Sequence, residues 1–180
     1  MRIIAGAWRG RPLVAPESGD TRPTSDRARE GLFSMLTSRI GTFEGLRVAD
    51  LFAGTGALGL EALSRGAVHC LFVENDRAAL AAIRENIARL GASDRSEARS
   101  QGVEHAPPPL VPCDIIFLDP PYGTGLAGMS LARLEDPAWI MPAGLVSVES
   151  DGPLAIPFHF EIEAQRRFGK AHIHLLRRRG

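Results

Sequence analysis

The sequence has little cysteine, no long apolar run and no net charge. Its 180 residues include 2 cysteines, Cys70 and Cys113, which are too few for a disulfide framework or a cysteine-based metal site. No apolar run approaches the roughly 20 residues that span a bilayer, and the first residues lack the apolar stretch of a signal peptide. We therefore expect a cytoplasmic protein with no membrane partner and no bound metal, whose two cysteines are unreactive core residues.

The absence of net charge conceals an uneven distribution of charged residues. Lysine and arginine together number 21, as do aspartate and glutamate. Both ends of the chain are nevertheless basic, because residues 1–16 and residues 165–180 contain several arginines and no acid. This pattern favours a polyanionic partner bound at one edge of the protein, although solvated termini would give the same pattern.

Apolar periodicity predicts one α/β domain preceded by a short extension. Residues 1–23, rich in Arg, Gly and Pro, predict a small hairpin or arm, and residues 24–180 predict the main domain. The predicted helices cover 28–40, 57–65 and 76–90, and the predicted strands cover 47–52, 69–74, 114–118 and 145–149. A last pair of strands, 158–166 and 171–177, predicts a terminal hairpin. The alternation indicates a mostly parallel sheet that is covered on both faces and ends antiparallel.

A glycine-rich loop joins the first predicted strand to the helix that follows it. Gly54, Gly56 and Gly59 satisfy the pattern G-x-G-x-x-G, which lets the backbone approach a ligand at a helix N-terminus. Glu74 ends the next strand, where a carboxylate can accept hydrogen bonds from both hydroxyls of a ribose. The pattern alone does not separate a dinucleotide from S-adenosylmethionine (SAM). Asp50 favours SAM, because a carboxylate suits a cationic amino-acid group and repels a pyrophosphate.

A second loop, Asp119-Pro120-Pro121-Tyr122, directly follows an apolar strand. The prolines stop the strand and fix the turn at its carboxyl end, where ligands bind in open α/β sheets. Asp119 and the Pro120 carbonyl could each accept one hydrogen from the amino group of a base that stacks on Tyr122. Two such acceptors would stabilise the positive charge that develops on the nitrogen during methyl transfer. A strand-ending turn without function is the alternative interpretation.

With these motifs in place, the sequence resembles amino-methyltransferases that carry an Asp/Asn-Pro-Pro-aromatic motif on a class I SAM fold. It more closely resembles one branch, the bacterial 16S rRNA guanine-N2 methyltransferases of the RsmD type. The resemblance covers nearly the whole chain. Its most specific parts are the N-terminal blocks, which read Arg2-Ile3-Ile4-Ala5-Gly6, Trp8-Arg9-Gly10-Arg11, Arg22-Pro23-Thr24, Asp26-Arg27 and Arg29-Glu30.

The resemblance implies a Rossmann-like, mostly parallel seven-stranded sheet with an antiparallel C-terminal hairpin. It also implies a monomeric enzyme that uses SAM without a metal and acts on 16S rRNA in a small-subunit particle. The residues expected to bind SAM are Asp50, Phe52, Ala53, Gly54, Thr55, Gly56, Gly59, Glu74 and Asn75. The residues expected to act in catalysis are Asp119, Pro120, Pro121 and Tyr122. The residues expected to bind RNA, near the mouth of the active site, are Arg2, Arg9, Arg11, Arg22 and Arg27.

One stretch departs from the family pattern. After the third strand the family usually has an acidic residue that meets the adenine amino group of SAM. Val103 stands where that acid is expected, and residues 107–109 are prolines where a helix usually follows. Glu104 or a backbone group is then expected to take over adenine recognition.

Three other functions remain open from the residues. The first is amino-methylation of DNA adenine N6 or of a protein glutamine, which the basic ends and the N-terminal blocks disfavour. The second is a nicotinamide-dependent oxidoreductase, which leaves the Asp-Pro-Pro-Tyr loop unexplained. The third is a non-catalytic RNA-binding protein on a methyltransferase fold, which Val103 favours and the intact Asp119 loop disfavours.

Overall fold

A computed structural model describes residues 1–16 and 26–180 of the chain. Its elements are α1 (Asp26–Ile40), β1 (Arg47–Leu51), α2 (Ala57–Ser64), β2 (His69–Glu74), α3 (Arg77–Leu90), a 3-10 turn (Ser93–Arg95), β3 (Ser96–Ser100), β4 (Cys113–Leu118), α4 (Leu126–Arg133), β5 (Ile140–Ser150), β6 (Phe160–Phe168) and β7 (Ala171–Arg178). Within the described ranges, no helix is long and apolar enough to span a membrane.

The seven strands form one sheet in the order β3-β2-β1-β4-β5-β7-β6. The first five strands in this order are parallel to one another, and β7 pairs antiparallel with both β5 and β6. This confirms the predicted α/β class and its antiparallel end. The chain order reverses between β1 and β4, and such a switch point is where ligands bind in open α/β sheets.

The sheet separates two hydrophobic cores because successive side chains of a strand point to opposite faces. On β4, Ile115 and Phe117 pack into the core that holds α1, α2 and α3. Ile116 and Leu118 pack into the opposite core, with α4 and Trp139. One face of the sheet is therefore covered by three helices and the other by a single short helix and the segments around it.

The first 16 residues form a hairpin that is docked on the main domain. Ile3 N–H donates to the Arg11 carbonyl at 3.0 Å, and Gly10 N–H returns a hydrogen bond to the Ile3 carbonyl at 2.9 Å. The Glu61 carboxylate, fully buried on α2, accepts hydrogen bonds from the backbone N–H groups of Ile4 and Ala5 at 2.7 and 3.0 Å. A buried carboxylate satisfied in this way fixes the hairpin firmly on α2.

Both cysteines occupy the core, as the sequence predicts. Cys70 and Cys113 are buried and unpaired with one another, and burial raises the pKa of both thiols, that of Cys113 to about 12. A thiol in such surroundings stays protonated and unreactive near neutral pH.

Candidate active site

One cavity of about 510 Å³ opens at the carboxyl ends of the central strands. Its walls contain Met1, Ala15, Arg29, Asp50, Phe52, Ala53, Gly54, Thr55, Ala57, Leu58, Glu74, Asn75, Asp76, Ala79, Asp119, Pro120, Pro121, Tyr122 and Glu149. The two motifs that the sequence singles out therefore share one cavity. Arg29, Asp76 and Glu149 are the charged residues in its walls that sequence analysis did not assign to the site.

The glycine-rich loop leaves β1 through a strained backbone. Phe52 has a φ of 66°, a left-handed conformation that a bulky side chain rarely adopts and that is typical of functional sites. The N–H groups of Phe52 and Ala53 both donate to the Val73 carbonyl at 3.1 Å. These bonds hold the loop against the end of β2 and so impose the strain.

Gly56 and Gly59 allow α2 to approach the sheet closely. Gly56 is the N-cap of α2 with a φ of 77°, which favours glycine. A Cβ atom on Gly59 would lie 2.4 Å from the Phe72 ring and 2.5 Å from the Cys70 sulfur, so a side chain there would push α2 off β2. Gly54, by contrast, has open space where a side chain would stand, as expected for a loop that faces a ligand.

Glu74 connects the end of β2 to the glycine-rich loop. Its Oε2 accepts a hydrogen bond from the Gly54 N–H at 2.8 Å, and its Oε1 accepts one from the Asp76 N–H at 2.9 Å. Asp76 in turn caps α3, since its Oδ1 accepts a hydrogen bond from the Ala79 N–H at 2.7 Å. A carboxylate has about four lone-pair sites, so Glu74 keeps acceptor capacity for hydroxyl groups of a ligand.

Asp50 is almost completely buried beneath the loop. Its Oδ2 accepts a hydrogen bond from the Gly59 N–H at 2.8 Å. Burial raises the pKa of Asp50 well above its usual range, the hydrogen bond from Gly59 opposes that rise, and the nearby charges of Asp119 and Glu74 add to it. A cation bound in the cavity would offset both the burial and the repulsion.

The Asp-Pro-Pro-Tyr loop lies beside β5. Pro120 is buried and Asp119 is half-buried at the end of β4. The Tyr122 hydroxyl donates a hydrogen bond of 2.5 Å to Oε1 of Glu149. Leu118 of β4 pairs with Val148 of β5, so the next residue along each chain, Asp119 and Glu149, lies at the same level of the sheet.

Arg29 supplies a buried positive charge to the cavity wall. Its Nη2 donates to the Arg2 carbonyl at 2.8 Å and to Asp26 Oδ1 at 2.7 Å. This guanidinium lowers the pKa of Asp26, chiefly through that hydrogen bond. Nε and Nη1 of Arg29 are buried without a hydrogen-bond partner among residues 1–16 and 26–180.

The cavity as a whole is acidic. Its walls carry five carboxyl side chains, those of Asp50, Glu74, Asp76, Asp119 and Glu149, and the guanidinium of Arg29. Such an excess of negative charge attracts cations such as ammonium or sulfonium groups and repels a pyrophosphate.

The arginines predicted to bind RNA lie in two places. Arg27 lies in the first turn of α1. Arg2, in the N-terminal hairpin, lies beside that turn, since its Nε is 4.0 Å from Asp26. Arg9 and Arg11 lie in the exposed turn of the hairpin. That turn is near the far end of α2, because Ala7 N–H donates to the Ser64 carbonyl at 2.8 Å. The eight-residue α2 separates this turn from the cavity by roughly 10 Å.

The fifth predicted arginine, Arg22, lies outside the described residues. Among the other four, Arg2 and Arg27 lie near the start of α1, whereas Arg9 and Arg11 lie at the far end of α2.

A second basic surface is formed by the β6–β7 turn, at the end of the sheet where the cavity opens. The pairs Ser150–His172 and Arg167–His172 place this turn at the same edge of the sheet as Glu149. The exposed residues Arg166, Arg167 and Lys170 surround the turn. We call these three residues the hairpin-tip cations.

The segment after β3 contacts the cavity wall through its backbone, since the Gln101 N–H donates to the Glu74 carbonyl at 3.2 Å. Val103 is buried in the core beneath α4, and the Glu104 carboxylate lies 3.5 Å from His105 Nδ1. The cavity wall is built there by Asn75, Asp76 and Ala79. Residues 101–112 form turns and bends, in agreement with the proline run at 107–109.

The described residues contain no group of three or more His, Cys, Asp or Glu side chains arranged to hold a metal ion.

Comparison with protein families gives one match over almost the whole chain. The model of the family described as conserved hypothetical protein 95 matches residues 1–177. A protein of Escherichia coli (strain K12) named ribosomal RNA small subunit methyltransferase D is 38% identical over 181 residues, covering 99% of this chain and 90% of that protein. A protein of the same name from Haemophilus influenzae is 37% identical over 175 residues, covering 94% and 89%.

Solved structures show the same architecture. A methyltransferase-like protein of Escherichia coli superposes with a TM-score of 0.88 and 34% identity, covering 100% of this chain and 98% of that chain. A Haemophilus influenzae structure has a TM-score of 0.82 and 32% identity, covering 100% and 99%.

Proposed function

Because the chain belongs to the family described as conserved hypothetical protein 95, and to the same family as ribosomal RNA small subunit methyltransferase D, we propose that it is a SAM-dependent rRNA methyltransferase. The proposed acceptor is the exocyclic N2 amino group of a guanine in 16S rRNA. The observation that carries this proposal is the acidic cavity in which the glycine-rich loop and the Asp-Pro-Pro-Tyr loop meet.

The cavity fits SAM in shape and in charge. Gly54 leaves open space at the loop, Glu74 can accept hydrogen bonds from the ribose hydroxyls, and Asp50 can interact with the ammonium group. When bound, SAM supplies an electrophilic methyl group on a sulfonium. The residues that would hold it are the predicted set of Asp50, Phe52, Ala53, Gly54, Thr55, Glu74 and Asn75, with Gly56 and Gly59 shaping the loop.

The Asp-Pro-Pro-Tyr loop fits an amino group as methyl acceptor. The lone pair of a base amino group is delocalised into the ring, so the nitrogen is a poor nucleophile. Asp119 and the Pro120 carbonyl would each accept one hydrogen and favour a tetrahedral nitrogen whose positive charge they stabilise. Tyr122 would stack on the extruded base, and Pro121 would keep the turn rigid. Fixed positions for both reactants supply much of the remaining rate enhancement.

The basic surfaces fit an RNA backbone. The hairpin-tip cations and Arg27 flank the cavity, where they would contact phosphates next to the target nucleotide. Arg9 and Arg11 would contact RNA farther away, roughly one short helix from the cavity. A small-subunit particle, whose rRNA presents phosphates over a wide surface, could contact both basic surfaces at once. An enzyme with this substrate would act in the cytoplasm.

The other candidate functions fit the site less well. A nicotinamide dinucleotide would bring its pyrophosphate into a cavity with five carboxyl groups. A non-catalytic RNA-binding protein would have no use for a strained loop at Phe52 or for the hydrogen-bonded Tyr122. DNA adenine or protein glutamine would use the same acceptor pair, so the basic surfaces and the family favour rRNA over them.

The test is a transfer assay with SAM labelled in its methyl group and separated acceptors. We expect label in small-subunit particles or 16S rRNA and none in duplex DNA or protein. Label in DNA or protein, with none in rRNA, would overturn the substrate assignment. Tight binding of a nicotinamide dinucleotide without SAM binding would overturn the enzyme class.

A further inference from the structure

Glu149 is a charged residue of the cavity that the transfer mechanism above does not use. It lies at the end of β5, one residue beyond the Leu118–Val148 pair, and is half-buried. Its carboxylate is thus a neighbour of Asp119, on the strand that lies next to β4 in the sheet. Both residues line the same cavity.

We propose that Glu149 determines base specificity by accepting a hydrogen bond from N1–H of the target guanine. This inference rests on the proposed function and deepens it, since it names the residue that distinguishes guanine from other bases bearing an amino group. Asp119 and the Pro120 carbonyl only require an amino group, which adenine and cytosine also have, so they do not provide this distinction.

The distinction follows from the pattern of donors on each base. In guanine, the 2-amino group lies between two ring nitrogens, of which N1 carries a hydrogen and donates while N3 accepts. In adenine, the ring nitrogens next to the 6-amino group carry lone pairs and accept. A carboxylate beside the acceptor pair stabilises the first arrangement and repels the second, because an ionised carboxylate can only accept. Covering the half-buried carboxylate with a base that offers it no donor removes water from the carboxylate, and this costs more free energy than a good hydrogen bond contributes.

The hydrogen bond from Tyr122 prepares Glu149 for this role. At 2.5 Å it lies in the range of charge-assisted O–H···O⁻ bonds. It holds the carboxylate in one position and uses the hydroxyl of the residue whose ring would stack on the same base. The ring of Tyr122 would thereby fix the plane of the base, while its hydroxyl fixes the carboxylate that accepts the N1–H hydrogen bond.

The experiment compares two bases at the methylated nucleotide of 16S rRNA, once that nucleotide has been mapped with the wild-type enzyme. The bases are guanine and 2-aminopurine, which has the same 2-amino group but no hydrogen on N1. Single-turnover transfer is measured for wild-type protein and for Glu149→Gln, whose amide can both donate and accept. Tyr122→Phe and Glu161→Gln, an exposed glutamate on β6, serve as comparisons.

We expect the wild-type enzyme to methylate guanine at least about tenfold faster than 2-aminopurine. Glu149→Gln should reduce this ratio to near one, and Tyr122→Phe should reduce it in part, because the hydroxyl no longer holds the carboxylate in place. Glu161→Gln should retain the wild-type preference. If Glu149 only positioned Tyr122, Glu149→Gln would slow both bases equally and leave the ratio unchanged, which would overturn the inference.

Equal rates on both bases with the wild-type enzyme would also overturn the inference. This comparison uses only the wild-type protein, so it does not depend on the folding of a variant. Failure of the proposed function gives a different result, namely no transfer to guanine in rRNA by the wild-type protein.

Discussion

The carboxylate of Glu74 accepts a 2.8 Å hydrogen bond from the backbone N–H of Gly54. This contact joins the end of β2 to the loop after β1, so the acid expected to hold the ribose also supports the loop expected to surround the cofactor. The same side chain holds the start of α3 through the Asp76 N–H. Cofactor binding and loop geometry therefore depend on one residue.

Glu74→Ala is expected to weaken SAM binding with little effect on folding of the β-sheet core. Loss of charge-assisted hydrogen bonds costs about 1.5–3 kcal/mol, which corresponds to roughly a 10- to 150-fold rise in Kd. Isothermal calorimetry measures the change, with Glu85→Ala, an exposed glutamate paired with Arg89, as the control. An unchanged Kd for Glu74→Ala would contradict the assigned role.

Asp119→Ala is expected to reduce the rate of methyl transfer by at least about 100-fold, because one preorganised acceptor at the reacting nitrogen is lost. Its effect on SAM affinity should be small, since its main partner is the base. Asp119→Asn, which keeps one acceptor oxygen, should lose less. Single-turnover assays with saturating SAM separate rate from binding, and a wild-type rate for Asp119→Ala would show that the residue has another role.

Most of the framework could be predicted from local patterns. Each of three site features follows or ends a strand that is recognisable in the sequence: the glycine-rich loop, Glu74 and the Asp-Pro-Pro-Tyr loop. Parallel strands bring their carboxyl ends to the same side of the sheet, so these features are expected to meet. The local pattern predicts neither the strand β3 nor the helix α4. The sequence of β3, Ser96–Ser100, lacks apolar alternation because it lies at the sheet edge, and α4 begins after a glycine-rich turn.

The missing parts of the site depend on contacts between distant residues. Glu149 becomes visible only when β5 is placed beside β4, and the sequence offers no local motif around it. Asn86 is similar: this buried residue of α3 donates to the carbonyls of Val14 and Thr55 at 3.0 and 3.1 Å. It thereby links the N-terminal hairpin to the glycine-rich loop, which no periodicity could reveal.

The hairpin-tip cations are expected to supply salt-dependent affinity for RNA. Replacing both Arg167 and Lys170 by Ala should lower the slope of log affinity against log salt by about 0.7–0.9 for each lost phosphate contact. SAM affinity should not change. Filter binding of 16S rRNA at several salt concentrations measures the slope, with Arg179→Ala, at the opposite end of β7, as the control.

The double variant of Arg9 and Arg11 to Ala should also weaken RNA binding and flatten the salt dependence. Because the turn that carries these arginines lies away from the cavity, the loss of affinity would show that RNA far from the target nucleotide contacts the hairpin. If affinity and slope both stayed at wild-type values, these arginines would be solvated surface residues without an RNA contact.

Stability is expected to fall as the pH drops below the ordinary pKa of histidine, about 6.5. Burial, and then the nearby His172, lower the pKa of His174, whose ring nitrogens lie 3.0 Å from Ser150 Oγ and from Gln165 Nε2. The unfolded chain then binds a proton more readily than the folded one between the lowered pKa and 6.5. The free energy of unfolding is therefore highest above pH 6.5 and decreases as the pH falls from 6.5 to the lowered pKa of His174.

Denaturant unfolding at about pH 7.5 and 5.5 measures this loss. His174→Gln should show a smaller difference between the two pH values than wild type, while the exposed His105→Gln should show the wild-type difference. Part of the effect should survive in His174→Gln, because burial also lowers the pKa of His69. An identical pH dependence in His174→Gln and wild type would rule out His174 as its source.

The most direct test of the central claim is the identity of the methylated nucleoside. Small-subunit particles from cells lacking this protein are incubated with the purified enzyme and SAM labelled in its methyl group, and the rRNA is digested and analysed by mass spectrometry. We predict label in N2-methylguanosine at one site, absent when Asp119→Ala replaces the wild-type enzyme. Label in a methylated adenosine or cytidine, or no label in rRNA at all, would contradict the account.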